Sequence, residues 1–140
     1  MTLLVDFGDR FAIVTDPRCG FWFLPGGGTE QNESIEEAAK REAVEELGIE
    51  VNVSRTIATF DVTLISKATR EHLKIPPFVV IQATPTAGKL KRRYASNREI
   101  LLVKKDEPNI LLRNLEVPKK YEWMKPYFCV SRDVVREFLR

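Results

Sequence analysis

Two cysteines, one histidine and no long apolar run set the first limits on this 140-residue chain. Cys19 and Cys129 share no metal-ligand spacing and are too few for a disulfide framework, so they read as two reduced thiols. His72, the only histidine, sits in a polar stretch and reads as a surface residue rather than a catalyst. No apolar run reaches the roughly 20 residues of a membrane span, and the opening MTLLVDFGDR meets acidic residues too early for a signal peptide. The expectation is a cytoplasmic protein with no membrane partner. Repeats, low-complexity tracts and linkers are also missing, so residues 1–140 are expected to form a single domain. A chain of this size buries roughly two-thirds of its unfolded surface without staples.

What is present is the mixture of an ordinary globular protein, with 44% hydrophobic and 30% charged residues. The net charge of +2 hides an asymmetry: residues 1–85 hold 8 Lys and Arg against 13 Asp and Glu, and residues 86–140 hold 14 against 7. An acidic half can gather cations and a basic half can meet phosphates, although a mixed solvated surface gives the same totals.

Residues 34–47 carry a full set of helix signals. Ser34 with Glu37 three residues later forms a capping box, Glu36 and Glu37 suit the N-terminal dipole, and Gly48 is placed to end the helix in the left-handed conformation. With Ile35 at zero and about 100° per residue, Ala38, Ala39 and Ala43 fall near −60°, +40° and +80°, a narrow apolar stripe. Glu42 and Glu46 land inside that stripe, near −20° and +20°, with Glu45 beside them near −80°. Negative charge toward a helix C-terminus costs about 0.3–1 kcal/mol per residue, and Glu42 and Glu46 repel each other at i,i+4. A solvated acidic face does not explain carboxylates in the apolar stripe. A divalent cation does, because it reverses each penalty, and oxygen ligands suit magnesium or manganese. Upstream, the missing side chains of Gly26, Gly27 and Gly28 after Pro25 let backbone groups approach a ligand or metal.

Gly27, Glu33, Arg41, Glu42, Glu45, Glu46, Gly48 and Ile49, spaced G-x5-E-x7-R-E-A-x-E-E-x-G-I, resemble the signature of the Nudix hydrolases. The lead-in Trp22-Phe23-Leu24-Pro25-Gly26-Gly27 is similar as well. Two positions depart from the commonest form: Ala43 stands where a bulkier aliphatic is frequent, and Asn32 stands where glycine is often seen. Neither change removes a ligand.

Around this box, residues 3–6 and 11–15 read as a hairpin and residues 21–24 as a short strand. Residues 50–53 and 56–65 are strand-like, and 66–74 are polar and irregular. Residues 78–84 form an apolar run suited to a central strand, entered through Pro76-Pro77 and ended by Pro85. Residues 99–103 make another strand, residues 106–120 are ambiguous, and Ser131 caps a last helix over 131–140 with Val134, Val135, Phe138 and Leu139 on its apolar face. Pattern alone gives α+β with a mixed sheet. The resemblance implies a Nudix-type α/β/α sandwich.

The resemblance also implies chemistry: hydrolysis, with Mg²⁺ or Mn²⁺, of the pyrophosphate bond in a nucleoside diphosphate linked to another group. Glu42, Glu45 and Glu46 would be metal ligands, with the Gly27 carbonyl as a further one, and one of the glutamates would orient or deprotonate water. Arg41, near −120° on the wheel and so off the metal face, would pair with Glu33 and fix the loop against the helix. Glu99 is either a base or further ligand, or a surface glutamate paired with Arg98 or a nearby lysine. Lys89, Lys91, Arg92 and Arg93 suit a phosphate or nucleic-acid backbone, but an edge strand kept soluble by its charges is the preferred reading. Trp22, Tyr94, Trp123 and Tyr127 offer stacking surfaces, with packing the better reading and Trp22 in the core. The implied partner is a small nucleotide: a nucleoside triphosphate, ADP-ribose or a dinucleoside polyphosphate. No pattern in residues 50–98 chooses among them, and no feature marks an interface, although Nudix proteins are often dimers. Two other readings compete, a Nudix-fold module that binds a nucleotide or RNA end without turnover, and a metal-stabilised scaffold. The three mutually repelling glutamates weigh against the binder, and the basic second half weighs for it.

Overall fold

Alternation along three strands builds the molecule in layers. The computed structural model describes residues 1–16, 21–91, 99–107 and 125–138. In β1 (Thr2–Val5), Leu3 and Val5 enter one core and Leu4 the other. β2 (Arg10–Asp16) likewise divides Ala12 and Val14 from Phe11 and Ile13, and β5 (His72–Gly88) divides Ile81 and Ala83 from Phe78 and Val80. Strands apolar on both faces must be covered on both sides. Helix α1 (Ile35–Glu42), continued by a π turn over Ala43–Leu47, supplies Ala39, Ala43 and Leu47 to the first core. Helix α2 (Lys125–Phe138) supplies Val130, Val134 and Val135 to the second. At about 1.5–3 kcal/mol for each fully buried large apolar side chain, these two cores hold the fold. The result is the expected α/β/α sandwich of an α+β protein.

The mixed sheet has the order β1-β5-β4, with β1 parallel to β5 and β4 (Ile49–Ile65) antiparallel to it. An antiparallel sheet has the order β3-β2-β6, with β3 at Phe21–Phe23 and β6 at Ile100–Lys104. The loop after β3 is laced to β1: Leu3 N–H donates to Pro25 O at 2.7 Å, and Gly27 N–H donates to Met1 O at 3.1 Å. That lacing sets the glycine loop beside α1.

Several expectations are corrected. The hairpin of residues 3–6 and 11–15 forms only its turn, where Phe7 N–H donates to Arg10 O at 2.8 Å and Asp6 bridges Phe11. The strands then part, β1 to β5 and β2 to β3 and β6, because partners distant in sequence complete both cores. Residues 50–53 and 56–65 are one strand, interrupted by a register shift between Val53 and Arg55. Pro85 does not end β5. It stands opposite Val51 at another register shift, where a missing N–H is tolerated. Residues 72–74, read as irregular, already belong to β5, and residues 89–91 are not in a strand. The last helix begins at Lys125, with Pro126 tolerated in its first turn, so Ser131 is not its cap but an interior residue 2% exposed. Ile35, the origin of the wheel, is 41% exposed. Cys19, residues 92–98 with Tyr94, residues 108–120, Trp123 and Leu139 lie outside the described residues, as do the side chains of Tyr127 and Phe138.

Candidate active site

The helix that carries the glutamates starts as its sequence dictates. Ser34 Oγ accepts from Glu37 N–H while the Glu37 carboxylate accepts from Ser34 N–H at 2.8 Å, closing the capping box. Ser34 thereby holds the Glu37 carboxyl below the usual range. The helix does not stay α-helical to its end, as residues 34–47 were expected to. Ala43–Leu47 widen into a π turn, a feature that recurs at functional sites. Gly48 then takes φ 73° and ψ 20°, the left-handed stop that glycine accepts without strain. Lys91 N–H caps the last carbonyl, donating to Leu47 O at 2.9 Å.

Within this element Glu42 is 8% exposed and Glu46 7%, so the carboxylates that fell in the apolar stripe are in fact buried. Glu46 Oε2 accepts from Gly26 N–H at 2.9 Å, tying the helix to the loop. Gly27 faces Glu42 so closely that an added Cβ would collide with its carboxylate. The Gly27 carbonyl points back to the Met1 amine, which donates to it at 2.5 Å. Burial lowers the pKa of that amine, and the Glu42 charge acts in the opposite sense.

Arg41 is the hub of the cluster. Its Nε and Nη2 donate to the two oxygens of Glu33 at 2.8 and 3.0 Å, a bidentate grip. Nη2 also donates to Gly28 O at 2.8 Å, while Nη1 reaches Glu42 at 2.9 Å and Glu45 at 3.3 Å. The expected pairing with Glu33 is present. The expectation that Arg41 points off the metal face is corrected: the i,i+4 neighbour Glu45 and the adjacent Glu42 lie within reach of so long a side chain. Glu33, more than the opposing effect of burial, raises the pKa of the guanidinium further, and Glu42 adds to this. Arg41, then the Glu30 N–H, hold the Glu33 carboxyl below its usual range.

The structure therefore brings Gly27, Glu33, Arg41, Glu42, Glu45 and Glu46 together. Glu99 precedes β6, is exposed, and uses its carbonyl to accept from Thr15 N–H at 3.1 Å. Among the described residues no hydrogen bond or ion pair ties its carboxylate to the cluster. Trp22 is half-buried against the second core, and His72 is exposed, as read. Of the basic cluster, Lys89 and Lys91 are exposed. Among the described residues no three His, Cys, Asp or Glu side chains already form a cation cage. The glutamates are engaged by Arg41 and the loop instead. Yet the donor set fits a hard divalent ion: oxygens only, two of the carboxylates buried, a loop glycine pressed against one of them. Glu33, Glu42 and Glu45 share Arg41, and Glu42 also faces the Met1 amine.

Sequence reasoning missed the partners of Gly26 and Gly28, the conformation of Asn32 and the place of Ser131. Gly26 N–H and Gly28 O act through the backbone, which no side-chain motif reveals. Asn32, the departure from glycine, adopts φ 64°, a left-handed conformation that asparagine tolerates better than most residues. Ser131, read as a cap, instead accepts from Leu24 N–H at 3.1 Å.

The chain matches the NUDIX domain family over residues 3–125. It is 41% identical over 46 residues to the low-salt glycan biosynthesis protein Agl8 of Haloferax volcanii, a stretch covering 33% of this chain and 30% of that protein. It is 49% identical over 46 residues to Nudix hydrolase 18, mitochondrial, of Arabidopsis thaliana, covering 33% of this chain and 26% of that one. The chain thus spans less than a third of either relative. The crystal structure of a MutT protein from Bacillus halodurans superposes with a TM-score of 0.65 at 23% identity, over 99% of this chain and 80% of that one, a likeness of fold. No helix among the described residues is long and apolar enough to cross a membrane. With the box, the sandwich and the family match in agreement, this chain belongs to the NUDIX family of hydrolases.

Proposed function

We propose that the chain acts as a single cytoplasmic domain that hydrolyses the pyrophosphate bond of a nucleoside diphosphate linked to another group, with Mg²⁺ as its ion and Mn²⁺ as a substitute. The observation that carries this reading is the burial of Glu42 and Glu46 on one helix, against a glycine loop with no side chains to intervene. Two carboxylates buried at i,i+4 on one helix repel each other, and a divalent ion bound beside them would turn that repulsion into attraction.

Glu42, Glu45, Glu46 and the Gly27 carbonyl would hold the ion, which when bound neutralises charge on phosphate oxygens and acidifies water. The chain's own residues do the remaining work. Arg41 and Glu33 brace loop and helix by their bidentate pair, so the carboxylates keep their separation as substrate arrives. Glu45, the least buried of the three helix glutamates, with a side chain 35% exposed, is best placed to accept a proton from water. Burial of Glu42 and Glu46 keeps bulk solvent from screening their charge. Glu99, exposed just before β6, stands as an auxiliary base in this reading.

The substrate class is a small soluble nucleotide: a nucleoside triphosphate, ADP-ribose or a dinucleoside polyphosphate. The test is product release from a panel of these three, with Mg²⁺ and with chelator. Metal-dependent cleavage of one member is the expected result. Tight binding without cleavage of any member would overturn the hydrolase and favour the binding module.

A further inference from the structure

A serine inside a helix usually bonds back to a carbonyl of its own preceding turn or faces water. Ser131 does something else. It is 2% exposed, between Val130 and Val134 on the buried face of α2, and its Oγ accepts from Leu24 N–H at 3.1 Å across 107 residues of sequence. Leu24, 3% exposed, is the first residue beyond β3, whose ladder with β2 ends at Phe23. Its N–H has left the sheet and stays buried, so it needs an acceptor. Ser131 provides one.

The segment that follows is the candidate site. Pro25 O accepts from Leu3 N–H at 2.7 Å, Gly26 N–H holds Glu46 Oε2 at 2.9 Å, and Gly27 presses on Glu42. Along residues 24–27 the anchors thus come from β1 on one side and from α2 on the other. Helix α2 covers the opposite face of the sandwich from α1, yet through this one hydroxyl it reaches the backbone two residues before the N–H that orients Glu46.

We propose that Ser131 is a positioning residue, fixing the Leu24 backbone so that Gly26 and Gly27 meet Glu46 and Glu42 at the right separation. Its consequence for metal affinity rests on the function proposed above, whereas the anchor itself does not. The test uses the full chain with Ser131→Ala, Ser131→Thr and, as a control that loosens the same core while leaving the hydroxyl in place, Val135→Ala. Two quantities are read on folded protein: hydrogen exchange at the Leu24 and Gly26 amides, and the Kd for Mn²⁺. For Ser131→Ala, exchange at both amides is expected to rise about tenfold and Mn²⁺ to bind about tenfold more weakly, the usual penalty for losing a group behind a ligand. Ser131→Thr, which keeps an acceptor oxygen, is expected to restore both, and Val135→Ala to leave both near wild type. Wild-type exchange at Gly26 in Ser131→Ala, or equal changes in Val135→Ala, would overturn the anchor. If the wild-type chain binds no Mn²⁺, the metal reading fails, and the two amides alone still decide the role of Ser131.

Discussion

Two regions of this molecule invert the usual rule of burial in opposite ways. Between Pro25 and Gly48 carboxylates are inside, Glu42 at 8% and Glu46 at 7% exposure. At the outer end of the β4–β5 hairpin large apolar side chains are outside, Leu64 at 43%, Ile65 at 54% and Leu73 at 62%. The first region is held by bonds that span the sequence: Gly26 to Glu46, Gly28 to Arg41, Gly27 to Met1 and Leu24 to Ser131. The second is described by neighbours alone, Leu64 opposite Leu73, Ile65 opposite His72, and a turn closed by Ser66 N–H on Glu71 O at 2.9 Å. The difference follows from physics. An exposed leucine costs little, since most protein surface is apolar anyway, while a buried carboxylate must be satisfied from several directions at once. Sequence changes should therefore be felt strongly in one region and weakly in the other.

The largest effect is expected at Glu46. Glu46→Gln keeps an oxygen that accepts from Gly26 N–H but removes a charge, so kcat/KM should fall by at least ~10²-fold, the loss of roughly 3 kcal/mol of transition-state stabilisation. Thermal stability without metal should stay level or rise, because one member of a repelling cluster has gone. A variant that turns over at the wild-type rate would sink the assignment of this carboxylate. Next comes Gly27→Ala. Its Cβ meets the Glu42 carboxylate, and overpacking of this kind costs about 1–3 kcal/mol. Chemical denaturation reads the loss, and unchanged stability would mean that the loop is not pressed on the helix.

Asp6 sharpens the comparison because it is a half-buried carboxylate with a cation of its own. It accepts from Lys105 Nζ at 2.8 Å, Gly8 N–H at 2.8 Å and Gln82 Nε2 at 3.3 Å. Burial pushes its pKa up, but these partners, Lys105 foremost, outweigh that and hold it below its ordinary 3.8. A depressed carboxyl stabilises the fold above its unfolded pKa and ceases to do so as pH falls through the folded value. Asp6→Asn should thus cost about 1 kcal/mol at neutral pH, and the gap to wild type should shrink below about pH 4. Stability curves at several pH values check this. In metal-free protein Asp6→Asn should lose stability whereas Glu46→Gln should not, since the second change relieves like-charge repulsion with Glu42 at i,i+4.

How much of this could be read from the residues alone depends on the range over which each signal acts. Ser34 with Glu37 and the stop at Gly48 are local, and both held. The burial of Glu42 and Glu46 was visible as a clash between charge and apolar period, a signal one helix long. The sandwich was legible through family resemblance, whereas the strand pairing was not. Phe7 to Arg10 is a good turn, yet which strands pair beyond it is decided by the competition of two cores for β1 and β2. Pro85 misled because a proline stops a strand only where its N–H is needed. Ser131 misled more deeply: a serine ahead of an apolar period looks like a cap, and only the fold brings Leu24 N–H to it. Nor did any pattern announce the π turn over Ala43–Leu47, since it shifts the helical period by a single residue.

The smallest effect is expected at the hairpin, and it tests the comparison from the other side. Leu73 is 62% exposed and stands opposite Leu64 in the register Leu64↔Leu73. A cross-strand apolar pair contributes roughly 0.2–1 kcal/mol, and more than half of this one is in water already. Leu73→Thr introduces β-branching, which suits a strand, so the lost contact is partly offset by local preference. The net change should lie within about 0.5 kcal/mol, with kcat/KM unaltered. Denaturant midpoints on the wild type and on Leu73→Thr decide the matter. A loss comparable to that of Gly27→Ala would show the outer hairpin to be as tightly coupled to the cores as the glycine loop, and the contrast between the two regions would then be one of exposure alone and not of energetic weight.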